Sequence, residues 1–201
     1  NKLASNILLV GTLGHNELID KLVAKNKLDI TALENRWESF LIEVVRNPLP
    51  GVNKALVVVG SDRRGTAYGL FTLSEAIGVS PWYWWADVPV SKQRELNLKV
   101  ERVVSKEPAV KYRGIFINDE DWGLLRWAKR TFEKERGNIG PKTYAKVCEL
   151  LLRLKANYLC PAMHEASTAF NKIPENKLVA DSFAIVMGSV PVSYTHLRAH
   201  E

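Results

Sequence analysis

No apolar run in the chain approaches the roughly 20 residues that span a bilayer, so the sequence offers no membrane segment. Cysteine is scarce. The two thiols, Cys148 and Cys160, are spaced neither as a disulfide framework nor as metal ligands. Cys148 falls in an apolar helical pattern and Cys160 in an expected strand, so both read as buried thiols. Long basic runs are lacking too. Net charge is +6, yet the longest runs are the dipeptides Arg63-Arg64 and Lys129-Arg130, too short for a nucleic-acid arm. The expectation is a solvated surface of mixed charge, with attraction for acidic glycans as the alternative. There is no Gly-x-Ser-x-Gly nucleophile motif.

Two partial motifs fail on a missing residue. Residues 57–66 run strand, two glycines, helix, as a phosphate loop does, but Gly65 is followed directly by Thr66 where the lysine would stand. Asp62 would repel a phosphate, so Gly60 and Gly65 read as a tight strand-to-helix turn. Gly11 and Gly14 read the same way. His196 and His200 share i, i+4 spacing but have no third ligand in sight; no metal is expected. The chain opens at Asn1 without methionine or a signal peptide, which reads as a trimmed or fragmentary start.

What remains is an ordinary globular composition, 46% hydrophobic and 25% charged. Up to about residue 107, apolar patterning predicts strands over 7–12, 40–45, 55–59 and 96–104. Helices are expected over 14–25, with Leu18, Ile19, Leu22 and Val23 inward, and over 66–77, with Tyr68, Phe71, Leu73 and Ala76 inward. This is a small α+β layer. A boundary is expected at the Ser105-Lys106-Glu107-Pro108 stretch. Beyond it, strands over 110–117, 157–161 and 184–187 alternate with helices over 141–155 and 175–182. The buried stripe of the first is expected at Val147, Leu150, Leu151 and Leu154. Strand, helix, strand, helix, strand is the pattern of a parallel sheet.

The candidate site lies where the first of these strands ends. Ile115-Phe116-Ile117 reads as a fully buried strand running into Asn118, Asp119, Glu120 and Asp121. Ligands and catalytic groups sit at that end of parallel strands in α/β enzymes. A solvated acidic turn is the bland alternative. His164-Glu165 follows the second strand at the same edge. Pro81-Trp82-Tyr83-Trp84-Trp85 concentrates aromatic rings, either as apolar glue between domains or as faces for stacking on sugars.

The segments 47–51, 60–66, 78–89, 112–120, 151–159 and 185–189 together resemble glycoside hydrolase family 115, in one order over about residues 5–189. They include Gly60-Ser61-Asp62-Arg63-Arg64-Gly65-Thr66, Pro81-Trp82-Tyr83-Trp84-Trp85-Ala86-Asp87-Val88-Pro89 and Arg113-Gly114-Ile115-Phe116-Ile117-Asn118-Asp119-Glu120. The resemblance implies a xylan α-1,2-glucuronidase that removes glucuronic acid, or its 4-O-methyl form, with inversion and without a cofactor. It implies an α/β fold: an α+β amino-terminal domain (1–107), then the first three β/α units of a truncated (β/α)8 barrel (108–189). By the same resemblance Asp119 and Glu120 are the catalytic candidates. Asn118, Asp121, Trp122 and His164 are the substrate-binding candidates, and most of the acid–base machinery is expected on later strands. Glucuronoxylan or xylo-oligosaccharides are the expected partners, with homodimerisation of full-length members and a secreted or periplasmic location. Cys160 stands where members commonly carry tryptophan. Residues 190–201 depart from the family and look like a translated sequencing adapter, which would make the chain a gene fragment, inactive by itself. A non-catalytic carbohydrate-binding module and another glycosidase, such as an acetylhexosaminidase, are the alternative functions.

Overall fold

The computed structural model describes residues 6–119, 121–164 and 166–189. Its contacts divide the chain into two units, Asn1–Lys111 and Tyr112–Glu201. In the first, β1 (Asn6–Thr12), β3 (Lys54–Gly60), β2 (Phe40–Arg46) and β4 (Val103–Val104) form one sheet in the order β1-β3-β2-β4. β1 is parallel to β3, whereas β2 is antiparallel to both β3 and β4. The central strand β3 is the driest: Ala55, Val57, Val58 and Val59 are wholly buried. Alternate residues face opposite sides of a sheet. Ala55, Val57 and Val59 pack with Ile19 and Leu22 of α1 (Glu17–Ala24) and with Leu28 and Leu33. Val58 meets α2 (Arg63–Ala76) on the other face.

The two helices differ from expectation in a common way. α1 starts three residues later than its pattern suggests, because the Asn16 side chain caps it by accepting from the Leu18 and Ile19 amides. Leu18 is thereby turned outward and exposed. α2 buries Gly65, Tyr68 and Gly69, not Phe71, Leu73 and Ala76. A Cβ on Gly65 would lie 2.2 Å from the Ser39 carbonyl oxygen, and one on Gly69 2.8 Å from Val58 Cγ1. The helix therefore approaches the sheet along its glycines, so a scan for large apolar residues finds the wrong face. Gly65 is helical, while the turn itself is made at Gly60, whose added Cβ would meet the Thr66 amide nitrogen at 2.0 Å.

The strand expected over 96–104 shrinks to Val103–Val104, paired with Ile42 and Leu41. Leu96 and Leu98 alternate correctly but are exposed. Arg102 anchors the start of β4, through Glu43 at 2.9 Å and the Asp29 carbonyl at 3.1 Å.

The second unit holds three parallel strands in chain order, β5 (Gly114–Phe116), β6 (Tyr158–Cys160) and β7 (Val186–Met187). Between β5 and β6 lie α3 (Leu124–Trp127) and α4 (Pro141–Arg153); between β6 and β7 lies α5 (Pro174–Ser182). Pro141 occupies the first turn of α4, where its missing N–H costs nothing. α4 buries Thr143, Tyr144, Val147, Cys148, Leu151 and Leu152, whereas Leu154 is exposed. One expectation is overturned: β5 is not buried, with Ile115 44% and Phe116 50% exposed. Among the described residues β5 has a strand neighbour only on the β6 side, and neither of its apolar side chains is covered.

Candidate active-site loop at the carboxyl edge of the parallel sheet

The Ile117 amide donates to the Cys160 carbonyl at 2.9 Å, after which the chain leaves β5. Asn118 is exposed, but Asp119 is only 5% exposed. Its Oδ1 accepts from the Asp121 amide at 3.0 Å and its Oδ2 from the Leu125 amide at 2.6 Å. The sequence explains why these bonds form. The residue preceding α3 is Gly123, which has no side chain with which to cap a helix, so the Leu125 amide takes a carboxylate from six residues upstream. Glu120 lies outside the described residues. Asp121 adopts φ +65°, a left-handed conformation that aspartate tolerates better than most residues. Its Oδ1 stands 3.7 Å from Arg126 Nε. The clamped turn leaves Trp122 82% exposed.

After α3 the helix widens over Ala128–Phe132, where the Glu133 amide donates to the Ala128 carbonyl five residues back at 2.7 Å. Glu133 repeats the Asp119 device. It is 2% exposed, and its Oε2 accepts from the Gly140 and Thr143 amides at 2.9 Å each and from Thr143 Oγ1 at 2.6 Å. Oε1 accepts from the Lys142 amide at 3.2 Å. Here too the residue preceding the helix is a glycine, Gly140. Sequence reasoning missed both clamps. The signal was there: each helix follows a glycine and has a carboxylate four to seven residues before that glycine.

His164 follows β6. Its Nδ1 accepts from the Ala166 amide at 3.2 Å, leaving Nε2 to carry the ring proton, and its carbonyl accepts from both the amide and hydroxyl of Ser167. Glu165 and residues 190–201, with His196 and His200, lie outside the described residues. Register pairs Phe116 with Cys160 and Leu159 with Met187, so the Asp119 loop, His164 and residues 187–189 share one sheet edge. A cavity of about 270 Å³ opens there, between the segments that follow β6 and β7. Its lining includes Pro161, Met163, Phe170, Asn171, Met187 and Ser189. Tyr144 lies beneath this edge, wholly buried and packed edge-on against Phe170 at 4.8 Å. Burial pushes its hydroxyl pKa well above the tyrosine range, and the Asp119 charge adds to the shift. The Ala162 backbone approaches that hydroxyl without meeting hydrogen-bond geometry.

Among the described residues no group of three or more His, Cys, Asp or Glu side chains lies close enough to hold a metal ion. Asp62, the residue that argued against a phosphate site, is committed to structure. Its Oδ1 caps α2 at the Gly65 amide (2.8 Å), and its Oδ2 accepts from the Glu38 amide (2.7 Å).

The model of glycosyl hydrolase family 115 matches residues 105–195. A solved structure described as a family 115 4-O-methyl-α-glucuronidase with specificity for decorated arabinogalactans is 43% identical, with a TM-score of 0.79 over 91% of this chain. Over residues 105–195 the chain is thus similar to glycoside hydrolase family 115, and over most of its own length to this member. It spans 23% of that relative's length, and no curated protein sequence matches it. The mixed α/β reading and the family resemblance are both borne out. The family match runs past Ser189 to Thr195, into the stretch whose sequence looks foreign to the family.

Proposed function

We propose that this chain forms part of a family 115 α-glucuronidase that removes glucuronic acid, or its 4-O-methyl ether, from a plant polysaccharide by inverting hydrolysis. The observation that carries this reading is the 43% identity to a 4-O-methyl-α-glucuronidase over 91% of the chain, beside a family match over residues 105–195, the range that holds the clamped loop after β5. In this reading β5, β6 and β7 open a (β/α)8 barrel, and the uronic acid enters at their carboxyl edge. Asp119 acts through the loop, because both its oxygens hold backbone amides. Glu120, the next carboxylate in the sequence, is the proposed catalytic group. Asn118, Asp121 and His164 contact the uronic acid, and Trp122 offers a ring face to the polysaccharide backbone. Inversion needs a second carboxylate about 6.5–9.5 Å from the first, with water between; that partner belongs to later strands of the barrel. Homodimeric assembly and a secreted or periplasmic location complete the proposal.

Xylan is the proposed backbone, with decorated arabinogalactan, the polymer named for the solved relative, as the rival. Calorimetric titration of the chain with glucuronosylated oligosaccharides from each polymer tests the reading. Saturable binding that Asp119→Ala and Trp122→Ala both weaken is the expected result, and binding of neither ligand refutes it.

A second reading, a non-catalytic sugar-binding surface on Trp82–Trp85, draws on the exposure of Trp82 (44%) and Trp84 (36%). Binding lost in Trp84→Ala but kept in Asp119→Ala would select it.

A further inference from the structure

Among the described residues, no charged side chain lines the cavity at the ends of β6 and β7. A uronic acid carboxylate brought into it would lose its hydration without gaining a cationic partner, which is costly. Its apolar walls are Pro161, Met163, Phe170 and Met187, and its polar groups are the neutral Asn171 and Ser189. Such a lining suits a small apolar substituent beside a hydroxyl or ether oxygen. Both methionines of the protein stand in it, and thioether side chains adapt to small apolar groups better than branched ones do. The cavity shares its sheet edge with the Asp119 loop. The geometry points to Met163 and Met187 as the residues that receive the O-methyl group of a 4-O-methylglucuronosyl substrate. This inference rests on the α-glucuronidase reading and goes beyond it, by assigning the discrimination between methylated and unmethylated uronic acid to two named side chains.

Burying one additional methyl contributes about a fourfold preference at the usual worth of a buried carbon. The test uses the 201-residue chain with its methionine ε-methyl groups labelled with carbon-13, which gives two reporters, both in the cavity. It is titrated with methyl α-glucopyranosiduronate and with its 4-O-methyl ether. The wild-type chain should bind the ether about fourfold more tightly, with transfer of saturation from the ether methyl protons to both reporters. Met187→Gln keeps the length of the side chain but sets an amide against the methyl, so the preference should fall to about one; Met187→Leu should retain it. Equal binding of the two uronosides by the wild-type chain, or a preference indifferent to Met187→Gln, overturns the assignment and leaves the α-glucuronidase reading standing. Binding of neither uronoside overturns that reading, and this inference with it.

Discussion

Replacing Glu133 by alanine is expected to loosen α4, and the geometry fixes how much. The carboxylate accepts three backbone amides and one hydroxyl while only 2% exposed. Alanine leaves all four donors without this acceptor. Losing a helix cap costs about 1–2 kcal/mol, and stranding buried donors that had a charged acceptor adds about 1.5–3 kcal/mol. The expected loss is therefore about 3–4 kcal/mol, part of the two costs being shared. Glu133→Gln offers a sharper comparison. Set with its amide oxygen in the place of Oε2, glutamine keeps the Gly140 and Thr143 bonds and loses only the 3.2 Å bond from Lys142, so the loss should be about 1–2 kcal/mol. Amide hydrogen exchange across residues 141–153 reads this directly. Protection in the alanine variant should drop by roughly 100- to 1,000-fold, and in the glutamine variant by roughly tenfold. If the alanine variant stays within threefold of wild type, the clamp contributes nothing and the argument from buried donors is wrong.

Three further outcomes attach to particular residues. Burial pushes the Cys148 thiol up from 9.0 to about 12. Its neutral form is favoured by folding, so its contribution is fully present below pH 9 and is lost as pH rises from about 9 to 12; denaturant melts should lose stability across that window, and Cys148→Ala should flatten the slope. Gly114→Ala would set a Cβ 1.7 Å from the Tyr158 carbonyl oxygen. It should part β5 from β6 and remove exchange protection at Ile117, whereas Gly123→Ala, with open space around the new methyl, should not. Asp119→Ala should lower the thermal midpoint, because the Leu125 amide loses a nearly buried acceptor at a cost of about 1–3 kcal/mol. Trp122→Ala, at a residue 82% exposed, should leave stability within about 0.5 kcal/mol of wild type.

Strands were legible where one apolar run met a full partner. Residues 55–59 sit in the middle of a sheet, and the run of Ala55, Leu56, Val57, Val58 and Val59 says so. The run over 96–104 alternates as convincingly, yet only Val103 and Val104 find the edge of β2, because pairing depends on what lies opposite and not on the strand alone. α2 misled for a different reason: its contact face is made of the atoms glycine lacks. Ile115 and Phe116 carry the composition of a buried strand and are exposed, since burial is a property of the neighbours. At the candidate site, the concentration of carboxylates after β5 was readable, but the use to which Asp119 is put was not. A bond from Asp119 to the Leu125 amide depends on where the chain turns in space. The same holds for Glu133, whose partners lie seven to ten residues further on.

The most direct test of the central claim is to map backbone amide shifts of the nitrogen-15-labelled chain during titration with a glucuronosylated xylo-oligosaccharide. Saturable shifts concentrated in residues 117–126 and 161–167 are predicted, the two segments that leave β5 and β6 at one edge. Shifts confined to residues 81–89, or no shifts at all, would contradict the placement of the uronic acid at that edge.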